Sequence, residues 1–187
     1  MKISIGKKTI LFTHPVLIIG SYDMDFNPDI AAVAWGGICC SEPPSVAISL
    51  RKSRLTYENI MLNKAFTVNI PSREQVGSAD YSGVYSGRDE DKFAATGLTP
   101  VNSGIVSAPY IKEYPLSMLC KLSHTIEIGI HTQFIGEILD VLVNDDILNE
   151  EGLPDISKAR PIIYDSVSRS YFGIDEMISK AYIRVKK

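Results

Sequence analysis

The stretch Asn27–Pro71, NPDIAAVAWGGICCSEPPSVAISLRKSRLTYENIMLNKAFTVNIP, decides how this chain is read. Within it, SVAISL at 45–50 puts Val46, Ile48 and Leu50 on one side and Ser45, Ala47 and Ser49 on the other. That period of two predicts a strand with one buried face. SRLTYENIMLNKA then predicts a short helix, with Ser53 available as its cap and Tyr57, Ile60 and Met61 as a spaced apolar stripe. FTVNIP returns to strand, Phe66, Val68 and Ile70 alternating with Thr67 and Asn69 until Pro71 ends the run. Upstream, IAAVAWGGICC fits a strand with a bulge or a short helix, strand being favoured, with Gly36 and Gly37 permitting a close approach of backbone or ligand.

The flanks extend the same pattern. VLIIGSY at 16–22 is a β-branched run ended by DMDFNPD, whose Asp, Asn and Pro favour a turn. Residues 72–100 open as a helix and continue as a polar, glycine-bearing loop, a kind of segment that often carries function. Leu116–Val143 reads as two long strands, with Met118, Cys120, Leu122, Ile126 and Ile128 on one parity and GIHTQ between the runs. The tail has a polar NDDILNEEGLPD segment and then PIIYDSVSRSYFGI, a hairpin whose aromatics alternate with polar residues. Six or seven strands, two or three short helices and no βαβ alternation predict a mainly β fold, an antiparallel barrel, in a single domain spanning 1–187.

Composition narrows the function classes. Of 187 residues, 45% are hydrophobic and 22% charged, close to the globular average, which disfavours disorder and miniprotein scaffolds. A net charge of -3 and a pI near 5.6 give no general drive toward nucleic acid or anionic membrane. Lys7, Lys8, Thr13, His14 and Pro15 interrupt the N-terminal apolar run before it could act as a signal or a membrane span. Three cysteines, Cys39, Cys40 and Cys120, make a poor disulfide framework and suit a reducing cytoplasm. Cys39 and Cys40 would point to opposite sides of a strand, which disfavours joint metal ligation and predicts buried, inert thiols.

Phosphate loops, HExxH, CxxC and GxGxxG signatures are absent, so Rossmann, P-loop and zinc-enzyme readings fall away and no metal site is expected. RKSRLT at 51–56 sits between a strand and a helix start, where amides, hydroxyls and guanidinium groups can hold a phosphate; a helix cap with solvated charges is the bland alternative. Trp35, among alanines and glycines, suits either a planar ligand edge or a core. His124 reads as a satisfied core histidine, whereas His131 lies in a turn from which an imidazole can reach a ligand. Lys92, in RDEDKF, reads by default as a solvated lysine beside acids.

Taken together, the 27–71 stretch, SGRDEDKF at 86–93 and GIHTQFIGEI at 129–138 resemble the flavin reductase-like, FMN-binding split-barrel family, and most of all its flavoredoxin branch. The resemblance runs from about Pro15 to Ile138. It implies a six-stranded antiparallel split barrel of Greek-key type, a homodimer, and non-covalent FMN. By position it puts Trp35 at the isoalloxazine, Ser49, Leu50 and Arg51 along the flavin, and Ser53, Arg54 and Thr56 at the phosphate. Lys92 and His131 match polar positions around the cofactor, and Tyr164 a tail position that can close over the ring. The family commonly has Asn where Asp29 stands; a carboxylate near the ring would disfavour anionic reduced flavin, so Asp29 either points away or lowers the potential. The implied partners are NAD(P)H or a protein electron donor, with a flavin, ferric or protein acceptor.

Overall fold

The computed structural model describes residues 1–174 and 176–181. Its strands are β1 (His14–Pro15), β2 (Leu17–Tyr22), β3 (Pro28–Val33), β4 (Gly36–Ser41), β5 (Pro44–Arg51), β6 (Ala65–Ile70), β7 (Pro100–Asn102), β8 (Pro109–Ile111), β9 (Leu116–Ile128), β10 (His131–Val143), β11 (Ile162–Asp165) and β12 (Ser170–Gly173). The α-helices are α1 (Leu55–Asn63), α2 (Val76–Val84), α3 (Lys92–Thr96) and α4 (Ile156–Ala159). The main sheet is antiparallel and runs β3-β2-β6-β9-β10-β5-β4, seven strands where the family resemblance implied six.

The extra strand comes from the 30–40 run, which is two strands and not one. It breaks at Ala34 and Trp35, and the halves, β3 and β4, occupy opposite edges of the sheet. A flat sheet of that width would hold its edges roughly 29 Å apart at about 4.8 Å per strand. Two linking residues reach about 10 Å at most. The sheet must therefore curl until its edges meet, and the Ser49 amide donates to the Trp35 carbonyl at 2.9 Å where they do.

Two apolar layers hold the curl. Inside it, Leu17, Ile19, Val46, Ile48, Leu50, Phe66, Val68 and Phe134 pack with Ile60 of α1. Outside it, Val16, Ile18 and Ile30 pack against Ala79 of α2, Phe93 of α3, Ile111 and Ile162. β2 is thus covered on both faces, which explains its unbroken apolar sequence.

A polar hub pins the loop before β9. Asn69 Nδ2 donates to the Ile18 carbonyl and to Thr67 Oγ1, both at 2.9 Å, while its Oδ1 accepts from the Ile111 amide at 3.1 Å and Ser117 Oγ at 2.7 Å. Thr67 Oγ1 in turn donates to the Pro109 carbonyl at 2.6 Å. Gly20 is required beside this hub, since a Cβ there would stand 2.2 Å from the Pro109 oxygen.

Two other expectations are corrected. His124 is exposed, because a bulge at Ser123, held by Ser123 Oγ donating to the Ile135 carbonyl at 2.8 Å, shifts the register between Leu122 and His124. The same bulge reverses the distal half of β9, so Ile126 and Ile128 leave the core side and stand 46% and 54% exposed. Cys39 and Cys40 are also exposed, since β4 is an edge strand with its own irregularity between Ile38 and Cys40; Cys120 is buried, and burial pushes its thiol up to about 12.

Replacing Asn69 with Ala leaves four buried polar groups short of a partner and lowers unfolding stability by about 3 kcal/mol. Urea denaturation measures this; a loss below about 1 kcal/mol would show that the hub is not a major stabiliser.

Candidate functional site

The two-residue crossing at Ala34 and Trp35 opens a cleft beside β5. Alternation along β5 sends Leu50 into the core and leaves Ser49 and Arg51 facing out, where Arg51 pairs in register with His131 at the start of β10. The His131 ring meets the Trp35 ring with centroids 4.8 Å apart. With Ala32, Ala34, Ser49 and Arg54 these groups enclose about 340 Å³. A planar aromatic wall, small alanines opposite and cations at the opening suit a flat, anionic ligand.

Arg54 continues the cleft into a tighter recess of about 30 Å³ lined also by Asp29, Thr56, Ser86, Gly87 and Lys92. Asp29 is the centre of this recess. Its Oδ1 pairs with Lys92 Nζ at 2.9 Å and its Oδ2 accepts from Thr56 Oγ1 at 3.1 Å. Asp29, Thr56 and Lys92 are 6%, 1% and 3% exposed, so this pair is shielded from solvent as a surface pair is not. Lys92 is accordingly not the solvated lysine that its acidic neighbours suggest: it is the first residue of α3, and Asp91 caps that helix by accepting from the Ala94 amide at 3.0 Å.

The turn from Tyr85 to Asp91 is tied to its surroundings at several points. Arg88 bridges to Glu58 of α1 at 2.7 Å, and the Tyr81 hydroxyl donates to Glu90. Gly87 lies so close to Asp29 that a Cβ would come within 2.2 Å of its Oδ1. The backbone of this turn can therefore approach the recess only because residue 87 is glycine.

The structure brings most of the expected residues together: Trp35, Ser49, Leu50, Arg51, Arg54 and His131 line the larger space, and Asp29, Arg54, Thr56 and Lys92 the recess. Ser53 joins neither and does not cap α1. Arg54 is the N-cap residue, without a side-chain cap bond, because the turn closed by the Arg54 amide on the Arg51 carbonyl at 3.1 Å carries Ser53 exposed at its tip. Lys52 is committed to Glu127 at 2.6 Å, whereas among the described residues Arg51 and Arg54 have no ion-pair partner.

Tyr164 does not line the cleft; it lines an adjoining pocket of about 320 Å³ that shares Ala32, Val33 and Ala34 with it. Its ring packs on Tyr171 at 5.5 Å, and the Tyr171 hydroxyl donates to Asp80 at 2.9 Å, so that burial and then Asp80 hold the Tyr171 phenol above its usual range. Asp80, Ser86, Gly87 and Tyr171 were not anticipated individually; the sequence signals were the glycine-bearing stretch within 72–100, with SGRDEDKF at 86–93, and the aromatic hairpin of the tail. A fourth space of about 570 Å³, lined by Lys8, Thr13, Cys39 and Gln133, adjoins the cleft at Trp35 and Ser49.

Comparison with known proteins agrees with this geometry. The chain is similar to the flavoredoxin of Desulfovibrio vulgaris (Miyazaki F), with 52% identity, 97% of this chain and 98% of that one covered, and a TM-score of 0.93. It is similar also to a flavoredoxin from Methanosarcina acetivorans, at 28% identity and TM-score 0.91 over 97% and 96% of the two chains. A high molecular weight rubredoxin from Moorella thermoacetica is 33% identical over 134 residues, which cover 70% of this chain and 56% of that one. Residues 9–169 match the family described as flavin reductase like domain, and the chain belongs to that family, with its split-barrel fold.

Proposed function

We propose that this chain is a redox flavoprotein that holds FMN non-covalently in the cleft, working as one domain over 1–187. The observation that carries this reading is the pair of guanidinium groups, Arg51 and Arg54, which have no ion-pair partner among the described residues and stand beside a cleft lined by Trp35, His131 and small alanines. The donor set fits FMN: Arg54 with Ser86 and the Gly87 turn suits the phosphate, and Trp35, Ser49, Leu50 and His131 suit the ring. Bound there, FMN supplies the electron-accepting chemistry. The protein orients the ring, limits water at Leu50 and Ala32–Ala34, and presents His131 and Arg51 to negative charge that develops on reduction.

The chain accepts electrons from NAD(P)H or from a protein donor and passes them to a flavin, ferric or protein acceptor. The 570 Å³ space beside Trp35 offers room for a small donor next to the ring site. The alternative is an electron carrier with little NAD(P)H turnover, favoured by the likeness to two flavoredoxins. Anaerobic mixing with NADH and NADPH separates them: fast bleaching of the flavin marks a reductase, none marks a carrier. The exposed thiols of Cys39 and Cys40 favour a reducing compartment, and no described helix is long and apolar enough to cross a membrane.

Arg54→Ala should weaken FMN binding about tenfold or more while changing riboflavin binding little, since only FMN carries the phosphate. Flavin fluorescence quenching reads both constants, and equal FMN affinity in the variant and the parent would place the phosphate elsewhere.

The working form is a homodimer. Ile126, Ile128, Ile130 and Ile38 are 46%, 54%, 69% and 65% exposed around the β9–β10 tip and the β4 edge, an apolar surface beside the cleft that a second copy can cover. Sedimentation equilibrium at micromolar protein should give twice the 20.6 kDa chain mass; a monomer with full FMN occupancy would contradict this.

A further inference from the structure

We infer that Asp29 is a specificity-determining residue of the proposed FMN site, where it cancels the charge of Lys92 and so limits the preference for phosphorylated over unphosphorylated flavin. The inference rests on the functional reading above and concerns one feature of it. Among the side chains lining the tight recess, only Asp29, Arg54 and Lys92 carry formal charge. With the lysine ammonium 2.9 Å from the carboxylate, those two fields largely cancel at any anion beside them, and the net charge of the recess is that of Arg54.

Burial makes this cancellation effective. Lys92 and Asp29 are 3% and 6% exposed, so neither can swing into solvent and little water screens the pair. Their geometry is held from three sides: Lys92 by the start of α3, Asp29 by β3 and by Thr56 of α1, and the Gly87 turn by contact with the carboxylate itself. Thr56 donates its hydroxyl proton to Asp29, so it too acts on a ligand through the aspartate. Asp29 and Lys92 therefore shape the recess, while Arg54 supplies its net attraction. Replacing Asp29 with Asn keeps the shape and an acceptor but releases the Lys92 charge, raising the formal charge of the recess from that of one cation to that of two.

The test is the ratio of riboflavin to FMN dissociation constants, measured by fluorescence quenching in the parent, Asp29→Asn, Lys92→Met and the double variant. A general loosening of the fold weakens both flavins and leaves the ratio alone. Asp29→Asn should raise the ratio about tenfold, Lys92→Met, which leaves the Asp29 charge unbalanced, should lower it about tenfold, and the double variant should return it to the parent value. A double variant that stays about tenfold below the parent would show that the lysine grips the phosphate directly, and an unchanged ratio in Asp29→Asn would show that the aspartate does not limit it; either overturns the inference. If Asp29→Asn does not fold, Lys92→Met and the charge-free double variant still decide. A parent protein that binds neither flavin overturns the functional reading itself, a failure visible before any variant is made.

Discussion

Two residues, Ala34 and Trp35, join strands at opposite edges of a seven-stranded sheet, and that covalent constraint governs the rest of the molecule. It forces the sheet to curl, and the curl creates an interior that only bulky side chains fill, which Ile48, Phe66 and Phe134 do at 0% exposure. It also puts the one tryptophan at the seam, opposite Ser49 and against the His131 ring. The cleft is thus a consequence of closure: where two edges meet through small residues there is space, and the polar ends of β5 and β10 turn toward it.

Chemistry gathers at that seam because separate elements deliver it there. β3 contributes Asp29 and the alanine wall, β5 and the turn after it contribute Arg51 and Arg54, and α3 contributes Lys92. Of these charged groups, Arg51 and Arg54 have no ion-pair partner among the described residues, and they mark where an anion is attracted. The Asp29–Lys92 pair is locally neutral, and the Gly87 turn packs closely against its carboxylate on β3.

Much of this was legible in sequence because it follows from period and punctuation. The alternation of Val46, Ile48 and Leu50 located β5 and its buried face, and the Pro71 stop fixed the end of β6. What escaped were features set by tertiary geometry. No local signal distinguishes a strand from two strands split at Ala34, and a one-residue bulge at Ser123 moved Ile126 and Ile128 to the opposite face without changing the alternation in the text. Lys92 sits among three acids, yet its partner is Asp29, sixty-odd positions away and brought close only by the packing of α3 on β3. The candidate site residues emerged from likeness to a family more than from local pattern, and Tyr164 lines the adjoining pocket and not the cleft itself.

The account stands on the claim that the seam at Ala34 and Trp35 is the flavin site. A crystal structure of the chain grown with FMN tests this most directly. The account predicts the ring against Trp35, Ser49 and His131, with the phosphate toward Arg54 and the Gly87 turn. A flavin seated instead in the space beneath residues 8–15, or between Tyr164 and Tyr171 with its phosphate away from Arg54, would contradict it.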